Sequence, residues 1–198
     1  MSTNPSSDSR KRFLLIRTDR AGDTILTFPA VTALRNNYPE AFISFLAQPY
    51  TVPLIEQYAG IDLLLSYEPE GRHRGWKGVL KLSHQLRELN FDAAILFYPR
   101  PELAFALLKA KIPLRIGTGY RWYSFLMNRR IYEHRNDYRK HESEYNLSLL
   151  ESLMPDKITQ PHYEFKQWTP EPWWDDFQTE LKSKDYVILH SGCGASAP

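Results

Sequence analysis

Two segments of this sequence carry residue types that bind phosphates or move protons. The first is Arg17-Thr-Asp-Arg-Ala-Gly-Asp23, which follows the apolar run Phe13-Leu-Leu-Ile16. The second is Ser191-Gly-Cys-Gly-Ala195, which follows Tyr186-Val-Ile-Leu-His190. Each is therefore predicted to be a loop at the carboxyl end of a buried strand, where α/β proteins bind their ligands.

Asp23 is the candidate catalytic residue of the first loop. A carboxylate at the mouth of the sheet could act as a general base toward a hydroxyl group, which is worth about 10²–10⁴ in rate. The spacing alone favours a simpler role, in which Asp23 caps the following helix and contributes about 0.3–1 kcal/mol. The loop has one glycine rather than the three of G-x-G-x-x-G, which disfavours a nicotinamide or flavin oxidoreductase.

The second loop is typical of phosphate binding. Small residues such as Ser191, Gly192 and Gly194 let backbone N–H groups approach an anion. We interpret Cys193 as a small turn residue rather than a nucleophile, and as the only cysteine it excludes an intramolecular disulfide. Because the sequence ends three residues after Ala195, we expect 184–198 to be the truncated start of a second domain. We also expect residues 1–198 alone to be inactive.

Composition restricts the class of protein further. No run approaches the roughly 18 apolar residues of a membrane helix, and residues 1–12 lack the apolar core of a signal peptide, so they are predicted to be a disordered tail. The net charge is only +2, but seven Lys or Arg residues stand against two acids between Arg115 and Lys140. Concentrated positive charge favours an anionic partner such as a phosphate, an acidic sugar or a lipid headgroup.

Apolar runs alternate with helical patterns along the chain, which predicts a doubly wound, Rossmann-like parallel sheet. Strands are predicted at 13–16, 42–46, 63–65, 91–97 and 114–116. Helices are predicted at 24–37, 51–58, 76–89, 103–109, 121–128, 138–153 and 173–182. Pro29 is a kink or a true helix start within the first of them, and Pro101 is well placed for the start of the helix at 103–109. The domain then spans 13–158, and 159–183 is a linker with its helix.

The stretch Phe13 to Ala30 resembles the opening of glycosyltransferase family nine, the lipopolysaccharide heptosyltransferases. Further points of similarity follow in the same order along the chain: Arg115-Ile-Gly-Thr-Gly-Tyr120, His141-Glu-Ser-Glu-Tyr-Asn-Leu147 and Leu189-His-Ser-Gly-Cys-Gly-Ala195. The resemblance implies a GT-B architecture, of which this chain is the N-terminal acceptor half with the first strand and loop of the donor half.

The resemblance also implies an inverting transfer of a heptose or similar sugar, with Asp23 as the general base. The donor that the resemblance implies is a nucleotide-diphosphate heptose, usually ADP-heptose, whose phosphates Ser191, Gly192 and Gly194 would bind. Neither a metal nor another cofactor is expected, and the sequence has no Asp-x-Asp pair of the kind that metal-dependent sugar transferases use.

The expected acceptor is a lipopolysaccharide core or a lipid-linked glycan rather than a nucleic acid. Its candidate binding residues are Arg20, Gly22, Arg72, Arg100, Arg121 and His141, with simple surface exposure as the alternative for Arg72 and Arg121. We interpret His141, Glu142 and Glu144 as a solvated helix face rather than metal ligands. The location implied is the cytoplasm, with contact to the cytosolic face of the inner membrane. The alternative function is a non-catalytic domain that binds anions or a membrane surface.

Overall fold

The computed structural model describes residues 10–133, 140–154, 161–167 and 171–182, together with Asp185 and Val187. Within these residues the strands are β1 Arg12–Ile16, β2 Phe42–Ala47, β3 Leu63–Ser66, β4 Ala93–Leu96, β5 Leu114–Thr118 and β6 Arg129–Ile131. They form one parallel sheet in the order β3-β2-β1-β4-β5-β6. The predicted Rossmann-like parallel sheet is therefore confirmed.

Helices cover both faces of the sheet. In chain order the described helices are α1 Ala21–Ile25, α2 Phe28–Asn37, α3 Val52–Glu56, α4 Gly75–Glu88, α5 Pro101–Lys109, α6 Glu142–Ser148 and α7 Pro172–Lys182. Leu15 of β1 belongs to the core on one face, with Phe28 of α2. Leu14 belongs to the core on the other face, with Leu82 of α4 and Leu107 of α5. Burial on both faces explains why the central strands are apolar without alternation.

The first predicted helix, 24–37, is two helices. α1 ends at Ile25, Leu26 and Thr27 form a turn, and α2 begins at Phe28. Pro29 lies in the first turn of α2, where its missing N–H is tolerated. In a continuous helix its ring would clash with the carbonyl four residues earlier, so Pro29 marks a helix start and the single-helix prediction was wrong.

The segment after β5 also differs from prediction. The predicted helix at 121–128 contains only one 3-10 turn, Ser124–Leu126. The chain then enters β6, a strand that the sequence pattern did not indicate, in which Arg130 pairs with Gly117 of β5. Arg129 and Arg130 are exposed, so β6 lacks the apolar run by which the other strands were recognised.

The helix predicted at 138–153 is shorter. Its described part, α6, begins after His141, and 149–153 are turns, while residues 138 and 139 lie outside the described residues. His141 Nδ1 accepts a hydrogen bond from the backbone N–H of Ser143, and Glu144 accepts one from the backbone N–H of His141 at 2.6 Å. This capping box fixes where α6 begins.

The chain divides into two compact units, Met1–Lys166 and Gln167–Pro198. In the first unit Phe165 forms a β-bridge with Tyr58, and its ring packs edge-on against Phe28. In the second unit the rings of Trp173, Trp174 and Phe177 pack against one another on α7.

Parts of the predicted second unit cannot be compared with the structure. Of the buried strand predicted at 186–190 the structure describes Val187 alone, and this residue is 85% exposed and not in a strand, contrary to the prediction. The loop with Ser191, Gly192 and Gly194 lies outside the described residues. Of the helices that are described, none combines the length and the apolar character needed to span a bilayer.

Candidate active site

A cavity of about 560 Å³ lies at the carboxyl ends of β1, β4, β5 and β6, with α6 contributing to its wall. Its polar lining includes Arg17, Asp19, Tyr98, Tyr120, Arg121 and Tyr145. β1 and β4 are neighbours in the sheet, but the chain proceeds from β1 toward one edge and from β4 toward the other. Such a switch in strand order is where open parallel sheets bind ligands.

Arg17, directly after β1, is the centre of the site. Its guanidinium contacts both carboxylate oxygens of Asp19 at 2.6 and 2.8 Å and one oxygen of Asp23 at 3.1 Å. Glu142 and Asn146 approach from α6, with oxygens 3.5 and 3.3 Å from Nη1. Arg17 is only 3% exposed, so its charge is neutralised by partners rather than by water.

Asp23 is placed differently from Asp19. It is the third residue of α1, and the helix is preceded by Arg20, whose side chain makes no capping bond. The capping interpretation of Asp23 is therefore wrong, although the carboxylate still lies in the favourable first turn. Its side chain is 33% exposed, and one of its oxygens has no partner among the described residues.

This difference bears on which carboxylate can accept a proton. Both oxygens of Asp19 are held by Arg17, and its side chain is only 11% exposed. Asp23 contacts Arg17 through one oxygen only, and its side chain is three times as exposed as that of Asp19. Asp23 is not itself part of the cavity lining, but it is joined to the lining through Arg17.

The charges of Asp19 and Asp23 in this loop also affect Tyr50, which follows β2. Burial raises the pKa of Asp19 above its ordinary value, and the hydrogen bonds from Arg17 only partly oppose the increase. The Tyr50 hydroxyl donates a hydrogen bond to the backbone carbonyl of Asp19. Burial, followed by the negative charges of Asp19 and Asp23, raises the pKa of Tyr50. The tyrosine therefore remains a hydrogen-bond donor at neutral pH.

Sequence reasoning did not identify the contribution of α6. Asn146 is fully buried, and its amide nitrogen donates to the Leu26 carbonyl at 2.9 Å while its oxygen faces Arg17. Asn146 therefore connects the break between α1 and α2 to the arginine. Glu142, interpreted as part of a solvated face, contacts Arg17, so that interpretation was wrong. The available indication was Arg17 itself, because an arginine that directly follows a buried strand needs buried partners.

Four of the predicted acceptor-binding residues lie in loops or helix starts at this edge of the sheet. Arg121 lines the cavity. Arg100 precedes α5, its guanidinium lies 5.2 Å from the centre of the Tyr98 ring, and its Nε is buried with no partner in the described part of the chain. Arg20 and Gly22 are exposed at the start of α1.

The remaining two lie elsewhere. Arg72 follows the edge strand β3, where its side chain contacts Glu68 at 3.0 Å and the Ser66 carbonyl at 3.2 Å. It does not line the cavity. His141 is exposed and caps α6. Their roles in acceptor binding stay predictions.

No three His, Cys, Asp or Glu side chains of the described residues are placed together as metal ligands. The carboxylates of Asp19, Asp23 and Glu142 instead share one guanidinium. The predicted phosphate-binding residues Ser191, Gly192 and Gly194 stay predictions, because they lie outside the described residues.

Comparison with known proteins identifies relatives of similar sequence and similar fold. Lipopolysaccharide heptosyltransferase 3 of Escherichia coli is 29% identical over 178 residues, which are 85% of this chain and 50% of that protein. The crystal structure of the glycosyl transferase family 9 protein of Veillonella parvula superposes with a TM-score of 0.70 at 21% identity, over 87% of this chain and 49% of the other. The homologues of this chain are therefore glycosyltransferases that include lipopolysaccharide heptosyltransferases, and a family 9 glycosyltransferase shares its fold.

The homology confirms the resemblance inferred from the opening motif. The structure of Escherichia coli ADP-heptose lps heptosyltransferase II matches with a TM-score of 0.65 at 21% identity, over 88% of this chain and 51% of the other. The sheet is thus of the Rossmann-like kind found in GT-B heptosyltransferases. The chain spans about half the length of these relatives, and no protein-family model matches it.

Proposed function

We propose that this protein is an inverting glycosyltransferase and that residues 13–158 form its acceptor-binding domain. In this proposal a heptose or similar sugar moves from ADP-heptose to an acceptor of the lipopolysaccharide core type. The observation that carries the proposal is Asp23, a partly exposed carboxylate with one free oxygen, which Arg17 joins to the cavity at the strand switch.

The proposed reaction consists of one proton transfer and the exchange of one bond at the anomeric carbon. Asp23 takes the proton from an acceptor hydroxyl as that oxygen forms a bond to the anomeric carbon of the donor. The bond between the anomeric carbon and the diphosphate breaks on the opposite side, and its electron pair leaves with ADP. Inversion follows because attack and departure occur on opposite faces of the sugar.

Arg17 supports this role by positioning Asp23. The guanidinium holds one carboxylate oxygen at 3.1 Å and leaves the other for the substrate. Asp19 lines the cavity and burial raises its pKa, but both of its oxygens accept hydrogen bonds from Arg17 and neither is left for a substrate proton. We therefore assign proton transfer to Asp23 and the fixing of Arg17 to Asp19.

The acceptor would be bound by the cavity and its margin. Arg121 lines the cavity, and Arg100 has a buried Nε without a hydrogen-bond partner in the described residues, so both can bind acidic groups of a core saccharide. Tyr98 and Tyr120 supply aromatic wall. Acidic core sugars and phosphates match this combination of cations and aromatic rings.

We also propose that Ser191, Gly192 and Gly194 bind the donor diphosphate through backbone N–H groups, and that transfer needs no metal. Dipoles and basic side chains would then stabilise the charge on the leaving diphosphate. Because the acceptor would be a lipopolysaccharide core or a lipid-linked glycan, we propose peripheral contact with the cytosolic face of the inner membrane.

Asp23→Asn in the full-length protein tests the proposal. Heptose transfer from ADP-heptose to deacylated lipopolysaccharide core is followed by mass spectrometry, and core binding is measured by calorimetry. We expect kcat to fall by about 10²–10⁴ while the Kd for the core changes little. Asp176→Asn, an exposed carboxylate on α7, is the matched control and is expected to transfer at the original rate.

Each outcome has a defined meaning. If the original protein binds core but transfers no sugar, it is a non-catalytic anion-binding domain and the proposed activity is wrong. If transfer occurs and Asp23→Asn loses less than tenfold in kcat, Asp23 is not the base.

A further inference from the structure

A second surface, distinct from the cavity, combines exposed apolar side chains with cations. It lies on the helical layer formed by α4, α5 and the 3-10 turn Ser124–Leu126, which pack on the same face of the sheet. Its apolar members are Trp76, Leu80, Phe105, Leu108, Trp122 and Phe125. Trp122 is 80% exposed, Phe125 64% and Trp76 61%. We name this surface the α4–α5 face.

The α4–α5 face is continuous between its helices. Trp76 of α4 lies against Phe105 of α5, with ring centres 4.4 Å apart. Lys109 Nζ lies 5.4 Å from the centre of the Phe105 ring. Leu80 and Leu108 stand one turn further along their helices and are also exposed.

The segment with Trp122 and Phe125 extends this surface along α5. The Arg115 side chain donates to the Leu126 carbonyl at 2.9 Å and to the Ile112 carbonyl, just after α5, at 2.6 Å. The 3-10 turn is thereby fixed beside the carboxyl end of α5. Phe125 lies within this turn and Trp122 just before it, and both keep most of their side chains in solvent.

Positive charge surrounds the apolar side chains. Between residues 75 and 128 the exposed acids are Glu88 and Glu102. The exposed cations of the same stretch outnumber them and, apart from Arg121 of the cavity lining, are Lys77, Lys81, Arg87, Lys109 and Lys111. Long cationic side chains can lie along an apolar surface while their charges reach outward.

We propose that the α4–α5 face lies on an anionic lipid bilayer, with its tryptophans in the headgroup region and its lysines against lipid phosphates. Helices that bind membrane interfaces typically carry tryptophan and phenylalanine next to lysines. A protein partner would not require this excess of positive charge, whereas an anionic leaflet does. The inference rests on the proposed membrane contact and names its surface.

Vesicle sedimentation of the full-length protein tests the proposal. Vesicles of phosphatidylcholine are compared with vesicles that contain 30% phosphatidylglycerol. We expect at least tenfold tighter binding to the anionic vesicles. Trp76→Ser with Trp122→Ser, and separately Lys77→Glu with Lys81→Glu, should each weaken that binding at least tenfold. The matched controls are Trp173→Ser and Lys11→Glu, which change exposed residues outside the face and should bind as the original protein does.

Equal binding by the face variants and the controls, or no preference for anionic vesicles, would overturn the proposal. So would a loss of self-association in the tryptophan variants without vesicle binding, because the face would then join two copies of this chain. Transfer to water-soluble deacylated core separates the two proposals. Face variants should keep it, and a protein that binds vesicles but transfers nothing contradicts only the enzymatic function.

Discussion

Replacing Arg17 by methionine removes the cation that contacts the carboxylates of Asp19, Asp23 and Glu142. Methionine fills part of the same volume, so the main effect is electrostatic. The Arg17 side chain is 4% exposed and that of Asp19 is 11% exposed, so Asp19 would become a nearly buried, uncompensated charge. Breaking a buried ion pair in this way costs about 3–5 kcal/mol. For a chain of this size that corresponds to a Tm lower by roughly 6–20 °C.

The assay is urea unfolding followed by circular dichroism, with Arg17→Met, Asp19→Asn and the double variant forming a cycle. The double variant should recover part of the loss, because the uncompensated carboxylate is then neutral. Arg72→Met is the matched control. The Arg72–Glu68 pair has a similar distance of 3.0 Å, but its side chains are 43% and 36% exposed, so about 0–1 kcal/mol is expected. Equal losses for Arg17→Met and Arg72→Met, or no recovery in the double variant, would refute the reasoning.

Two further predictions concern stability. Burial, followed by the charge of Arg72, lowers the pKa of His73, whose Nδ1 accepts a hydrogen bond from the Glu68 backbone. Below about pH 6.5 the unfolded chain therefore binds a proton that the folded chain does not, and the unfolding free energy falls. His73→Asn should reduce this fall in urea titrations at pH 7.5 and 5.5, and an unchanged fall would contradict the assignment. Gly22→Ala should raise the unfolding free energy by about 0.4–1 kcal/mol, because alanine reduces the conformational entropy of the unfolded chain. The folded state has room for the methyl group, since an added Cβ meets no neighbouring atom within 4 Å. A measured loss would show that the glycine is needed by the fold.

The strands that the sequence indicates most directly are the central ones, which are buried on both faces. Phe13 to Ile16 forms an unbroken apolar run, and its neighbours in the sheet on both sides are of the same kind. β6 could not be predicted in this way. It has three residues, two of them exposed arginines, and it exists because Gly117 and its neighbours in β5 offer backbone partners. Local composition contains no record of that pairing.

In the candidate site, too, the residues close together in sequence were predicted and the distant partners were not. The loop from Arg17 to Asp23 was predicted because its charged residues directly follow the apolar run of β1 in the sequence. The partners of Arg17 on α6 were missed because Glu142 and Asn146 are 125 and 129 residues away in sequence. Contacts at such separations depend on how α6 packs against α2, and spacing along the chain does not encode that packing.

In the proposed function, the charges of the site would orient the acceptor. One guanidinium is shared by three carboxylates around Arg17, so this end of the site carries net negative charge and disfavours an anion. Arg121 lines the cavity on the β5 side, with Tyr98 on the intervening β4 side. A saccharide with an acidic group would place that group toward Arg121 and an uncharged hydroxyl toward Asp23. Glu133 also lines the cavity, but its carboxylate is paired with Lys140 at 2.8 Å. In the proposed function, this arrangement would favour an acceptor that is anionic at one end and neutral at the reacting oxygen.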